Sequence, residues 1–444
     1  MDTERTDLSV QRERALLVGV ILPGSTADPM DPLGELRNLA RTAGANVVDE
    51  MVARRAKPTP GLYVGAGKAQ EIADRAAMNE VDVIIFDNDL HPAQIRDLEK
   101  IAARKVIDRS ELILDIFACH ARTAESRLQV ELAQLEYTYP RLRHMWSHLE
   151  RVAGGATSAA SAVGAIGTRG PGEKQLEIDR RLVQKRVSML KGQIKEIDQR
   201  KIREVRSRAD TFSACLVGYT NAGKSTVMKL MTGADVYIAD QLFATLDTKT
   251  RRWNIGNGQE VLLSDTVGFV RDLPHHLIAS FRATLEEAIW ADLLIHVADA
   301  SHDRVEQQIE AVQEVLDELG CSHERRLLVL NKIDRMNDPA THDLLAKRHP
   351  DAIFVSAVTG QGAERLIEEV TRRAEGSQVR VVLKANCRNG RLIHFLSRHV
   401  KIDARSYEDS TMNLEGAISD DHLVELRSFG PDVEIISPAR PPRR

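Results

Sequence analysis

The sequence predicts an α/β protein in four parts: a parallel α/β domain, a two-helix arm, a second α/β domain carrying a phosphate-binding loop, and a small α+β module. Three observations predict it. Short β-rich runs alternate with helix-like stretches over residues 15–118 and again over 212–374, the pattern of parallel sheets covered on both faces. Between them, two long segments carry apolar residues at three- and four-residue spacing, as amphipathic helices do. An apolar run also leads into Gly218-x-x-x-x-Gly223-Lys224-Ser225 and a helix start. The corresponding divisions are 1–118, 119–210, 211–375 and 376–444.

In the first part, "ALLVGVIL" reads as a strand, "PLGELRNLARTAG" as a helix ending on Gly44, and "NVVDEMVARR" as a second strand. "GKAQEIADRAAMNE" is a helix and "VDVIIFDND" a buried strand. "HPAQIRDLEKIAARK" is a helix with Pro92 in its first turn, where a missing N–H costs nothing. From Thr123 the period changes: Leu128, Leu132 and Leu135 mark one arm helix, and Leu190, Ile194 and Ile197 the other. The linking stretch 153–174, rich in Gly, Ala and Ser, is longer than an ordinary connection. The second arm helix ends in a basic run, Lys195, Arg200, Lys201, Arg203, Arg206 and Arg208, suited to a phosphate backbone. The tail, 379–438, reads strand, helix, strand, helix, strand.

Bulk properties narrow the classes. The 444 residues carry a formal net charge of −4, so any RNA contact must come from a local patch. The four cysteines lack CxxC spacing, which indicates neither a zinc site nor a disulfide framework. "ALLVGVILPG" is too short to span a bilayer and lacks signal-peptide flanks. The expectation is a soluble, cytoplasmic, monomeric chain with no membrane anchor.

Four motifs, each after a strand, carry chemistry. In Gly218, Tyr219, Thr220, Asn221, Ala222 and Gly223, the glycines let backbone N–H groups wrap phosphates at a helix N-terminus. Lys224 neutralises phosphate oxygens, and Ser225, followed by Thr226, reaches Mg²⁺. Asp265-x-x-Gly268 suits a magnesium contact through water and a γ-phosphate contact from the Gly268 N–H. Between these, "DQLFATLDT" offers Phe243 and Thr245 to the nucleotide; Thr245, preferred to Thr248, is the third magnesium residue and bears on catalysis with Lys224. Asn331-Lys332-x-Asp334 supplies a carboxylate that can accept both guanine N1–H and N2–H₂, a pair adenine lacks. Ser356-Ala357 stands to touch guanine O6 through the backbone. Together these predict a P-loop GTPase domain that binds GTP and Mg²⁺. One position resists the pattern: Phe269, after Gly268, cannot orient a water as the Gln of Ras-like enzymes does.

"ADQLFATLDT", "DTVGFVRDLP" and "GTRGPGEKQLEIDRR" resemble the HflX family of ribosome-associated GTPases, within the wider Era–Obg-like group, over essentially the whole chain. The resemblance implies binding to the 50S subunit and the 70S ribosome, with the arm loop directed at 23S rRNA near the peptidyl transferase centre, and splitting or rescue of stalled or idle ribosomes. Assembly of the 50S subunit, or signalling through protein partners alone, are the other readings. The resemblance also implies that Asn221 matches the residue coordinating K⁺ in cation-dependent members, a catalytic aid where Gln is absent. Other features read as structural: "GAGK" (65–68) lacks full phosphate-loop spacing, and His144, His148, His275 and His276 read as surface positions.

Overall fold

The computed structural model describes residues 13–153, 171–207, 211–233, 242–243, 248–256, 259–271, 287–336, 338–376, 378–408, 411–419, 423, 426–427 and 429–439. Strands β1 (Arg14–Ile21), β2 (Asn46–Arg54), β3 (Val83–Phe86) and β4 (Lys105–Ile107) form a parallel sheet in the order β2-β1-β3-β4. β1 and β3 are unbroken apolar runs because helices cover both faces. Leu17 and Ile85 pack with Leu36 and Leu39 of α1 (Gly34–Thr42) and Phe117 of α4 (Arg109–His120). Their neighbours Leu16, Ile84 and Phe86 face Ile72 of α2 (Ala66–Met78) and Leu98 of α3 (Pro92–Ala102). Pro92 does open α3, and His91 and Gln94 cap it reciprocally.

The sequence reading names neither β4 nor α4. α4 buries Leu112, Ile113, Leu114, Ile116 and Phe117, so no single stripe marks it as amphipathic. Asp108 caps it, accepting from the Glu111 N–H at 3.0 Å. The arm follows as α5 (Ala124–Ala153) and α6 (Pro171–Ser207), tied near its root by Arg186–Glu131 at 2.6 Å and Lys191–Glu136 at 2.8 Å. Most of the expected loop lies outside the described residues; its last four positions, 171–174, are helix.

The second α/β domain has β5 (Ser213–Val217), β6 (Lys249–Gly256), β7 (Gln259–Asp265), β8 (Leu293–Asp299), β9 (Arg326–Asn331) and β10 (Ile353–Phe354) in the order β10-β9-β8-β5-β7-β6. Only the β6–β7 pairing is antiparallel. Helices α7 (Lys224–Thr232), α8 (Val305–Glu318), α9 (Pro339–Arg348) and α10 (Ala363–Gly376) pack on it. The carboxyl ends of β5, β7, β8 and β9 share one edge, where open α/β sheets bind ligands.

The C-terminal module is an antiparallel sheet, β12-β13-β11-β14, built from β11 (Gln378–Asn386), β12 (Val400–Glu408), β13 (Thr411–Ser419) and β14 (Val433–Ala439), with α11 (Gly390–His399) against it. The sequence reading placed one strand where β12 and β13 form two. β12 is an edge strand exposed from Asp403 to Glu408, so it shows no apolar alternation. Among the described residues no helix is long and apolar enough to cross a membrane.

Candidate functional site

β5 ends inside the sheet and the chain turns at once into the phosphate loop. Gly218 has φ 150°, and a Cβ there would lie 2.1 Å from the Val297 carbonyl oxygen; Gly223 has φ 94°, with Asn331 Nδ2 2.3 Å from such a Cβ. Only glycine fits either place. Lys224 follows as the first residue of α7, and its ammonium donates to the carbonyl oxygens of Gly218 at 3.0 Å and Tyr219 at 2.9 Å. Burial pushes its pKa down to about 8, against the pull of Asp265.

Ser225 Oγ donates to Asp265 Oδ2 at 2.6 Å, and Asp265 is fully buried. A hydroxyl and a carboxylate oxygen thus converge beside the phosphate loop, a donor set that suits a small hard cation. Thr226 lies half-buried in the first turn of α7, while Thr245 lies outside the described residues. Asn221 crests the loop with φ 62° and an exposed side chain.

The turn after Asp265 is packed onto the loop. Phe269 N–H donates to the Gly218 carbonyl at 3.1 Å, and Thr220 N–H donates to the Phe269 carbonyl at 2.7 Å. Gly268 is pressed so close that a Cβ would fall 2.8 Å from Thr220 Cα and 2.9 Å from the Lys224 ammonium. The Phe269 ring is buried among Val217, Tyr219, Ala288 and Leu294. It is a core residue and offers nothing to a water.

The residues expected to read the base are held together by hydrogen bonds. Asn331, 2% exposed, donates to the Ala222 carbonyl at 2.9 Å and accepts from the Ala357 N–H at 3.0 Å. The Ala357 N–H, expected at guanine O6, is therefore engaged by Asn331. Ser356 Oγ donates to Asp334 Oδ1 at 2.5 Å, and Lys332 turns with φ 64°.

Phe243 packs against the N-terminal domain. With φ 57° it lies edge-on to Phe117 of α4, ring centroids 4.6 Å apart. Leu242, Phe243, Val267 and Val270 all join the core beneath the N-terminal sheet. A buried polar cluster accompanies this contact. Arg109, 2% exposed, donates to Asp87 at 2.6 Å, to Glu35 at 2.7 Å and to the Arg271 carbonyl at 3.1 Å. Arg271 donates from its side chain to Asp87 at 2.8 Å and from its backbone to the Tyr219 hydroxyl at 2.6 Å. The hydroxyl donates in turn to Glu35 at 2.9 Å. Burial, with Glu35 beside it, pushes the Tyr219 phenol well up, so it stays a neutral donor. Sequence reading missed this cluster: Glu35, Asp87 and Arg109 stand in no motif, and their partners lie far along the chain.

"GAGK" proves to be the entry to α2, with Gly65 its cap and Lys68 paired to Glu71 at 2.9 Å. His275 and His276 lie outside the described residues, as do the side chains of His144 and His148 on α5.

Three family models match the chain in succession: a GTP-binding GTPase N-terminal region over 30–118, a GTP-binding GTPase middle region over 120–208, and a 50S ribosome-binding GTPase domain over 213–332. GTPase HflX of Escherichia coli (strain K12) is 42% identical over 411 residues, covering 92% of each chain. GTPase HflX of Magnetococcus marinus is 43% identical over 404 residues, covering 90% of this chain and 91% of the relative. A GTP-binding protein from Sulfolobus solfataricus, solved in complex with GDP, is 24% identical, covers 82% of this chain and 99% of its own, and superposes with a TM-score of 0.43.

Proposed function

The chain belongs to the HflX family of GTPases, and from that membership we propose that it binds the large ribosomal subunit and uses GTP to split or rescue stalled or idle ribosomes. What supports the reading is the convergence of four GTPase motifs on one pocket, in a chain whose matching family model is described as ribosome-binding and which carries a long helical arm.

In this reading Lys224 leaves the carbonyl oxygens of its own loop for the β- and γ-phosphates. Asp334 accepts the two guanine donors on the carboxylate that Ser356 already orients. Ser225, Asp265 and Thr245 hold Mg²⁺, which when bound neutralises charge on the phosphate oxygens. Asn221, exposed at the loop crest, is the residue that holds K⁺. The Gly268 N–H meets the terminal phosphate in the same reading. With the Phe269 ring in the core, orientation of the attacking water falls to other groups, and the docked ribosome supplies the missing help. Hydrolysis by the free chain is slow as a result.

Sedimentation with purified 50S and 70S particles, in GTP, GDP and a non-hydrolysable analogue, tests the proposal. We expect the chain to travel with 50S particles and the 70S peak to shrink when GTP is present. Binding to precursor particles with the 70S peak intact identifies an assembly factor instead. No binding to any particle overturns the ribosomal reading and leaves a GTPase with protein partners.

A further inference from the structure

Next to Asn331 and Asp334 stands an ion pair to which the motifs assign no task. Lys332 Nζ lies 2.7 Å from Asp299 Oδ2, and each side chain is only 15% exposed. Asp299 is the last residue of β8 and stands in register with Asn331 on β9. Its other oxygen accepts from the Ser301 backbone N–H at 3.1 Å and from the Ser301 hydroxyl at 2.6 Å, so the carboxylate is fixed on both sides. Lys332 has φ 64°, a left-handed turn that a residue with a side chain adopts only when its surroundings enforce it. Its stem stands beside the phosphate loop: a Cβ at Gly223 would come 3.9 Å from Lys332 Cε.

We propose that Asp299 is a positioning residue for the base, holding the Lys332 stem as one wall of the guanine pocket and its ammonium away from Asp334. This rests on the guanine-reading role given to Asp334 above. Lysine is among the side chains that lose most rotamer freedom on being fixed, and Asp299 fixes it before nucleotide arrives. The base then meets a preformed apolar wall. The anchoring also has an electrostatic effect. An ammonium released from Asp299 is free to pair with Asp334, two residues on, and so to compete with the two donors of guanine for that carboxylate.

Asp299→Asn keeps the shape of the side chain and an oxygen for Ser301, but removes the charge that holds Lys332. Titration of the full chain with mant-GDP should show the dissociation constant raised about tenfold, with KM for GTP rising in step and kcat held within about twofold. Lys332→Met keeps the stem and deletes the ammonium. In that background Asp299→Asn should change mant-GDP affinity no further, a result that a general structural role for Asp299 does not produce. Unchanged affinity in Asp299→Asn overturns the proposal; so does a loss that persists undiminished in the Lys332→Met background. Asp334→Asn, assayed alongside with GTP against XTP, tests the parent reading separately. If XTP gains no advantage there, the base-reading role of Asp334 fails, whatever Asp299 does.

Discussion

Replacing Arg109 with methionine removes the hub of the buried cluster while nearly conserving side-chain volume. The guanidinium lies 2.6 Å from Asp87, 2.7 Å from Glu35 and 3.1 Å from the Arg271 carbonyl, and is 2% exposed. Burial opposes its charge, and the two carboxylates more than restore it. Without it, Asp87 and Glu35 are left to share Arg271, itself only 13% exposed. Breaking a buried pair by deleting one partner costs about 3–5 kcal/mol, roughly a hundredfold to several thousandfold in the opening equilibrium. The amide that reports it is that of Arg271, which donates to the Tyr219 hydroxyl at 2.6 Å and to Glu35 at 3.2 Å. Hydrogen exchange of the 267–271 peptide should therefore accelerate by at least about a hundredfold in Arg109→Met. Arg109→Lys keeps one charge but cannot fork across three acceptors, and should fall between. The exposed pair Arg186–Glu131, with side chains 43% and 40% accessible, is the control: Arg186→Met should leave the same peptide unchanged. Protection within about threefold of wild type in Arg109→Met would show that the cluster does not hold the segment after Gly268, and the reasoning from burial would be wrong.

Other outcomes follow from single sites. Gly218→Ala places a methyl 2.1 Å from a backbone oxygen that cannot turn aside, so mant-GDP binding should weaken by at least about a hundredfold; Gly67→Ala, with nothing within 4 Å, should leave it unchanged. Burial raises the Asp115 carboxyl to about 7, with Lys105 and Glu13 as smaller influences. The folded state thus keeps a proton that the unfolded chain releases near pH 3.8, and stability should fall as pH rises from about 4 through about 7. Melting curves of Asp115→Asn between pH 5 and 8 should lose that slope; an equal slope in both proteins refutes the assignment. Exchanging K⁺ for Na⁺ should slow GTP hydrolysis in the wild type and make no difference in Asn221→Ala. Equal wild-type rates in the two salts would remove the cation from the mechanism.

The phosphate loop is legible because its chemistry is written in the backbone. Gly218 faces a backbone oxygen that cannot move, Gly223 combines a φ of 94° with the buried Asn331 amide, and the residues around them follow at fixed spacing. Asp265 and Asn331 end their strands, and Asp334 and Ser356 stand shortly after the ends of β9 and β10, so the same strand-then-motif pattern points to them. What escaped detection depends on partners distant in sequence. The contact of Arg271 with Glu35 joins residues 236 apart, and no local period reports it. No motif announces the contact of Phe243 with Phe117, which belongs to a helix with no readable stripe. β12 hid for the opposite reason, being an edge strand with too little burial to alternate.

The apolar contact of Leu242, Phe243, Val267 and Val270 with the N-terminal core has a consequence for competition. Val267 and Val270 lie on the turn after Asp265, and Leu242 and Phe243 stand just before the segment expected to cover magnesium. Here they already have a ligand, and it is tethered. A tethered ligand acts at an effective concentration on the order of millimolar, whatever its intrinsic affinity. An external protein that sought the same faces at micromolar abundance would start at a disadvantage of roughly a thousandfold. A partner that grips the chain elsewhere first, for instance along the arm, would escape that disadvantage. Such a partner competes by avidity rather than by the strength of any one contact.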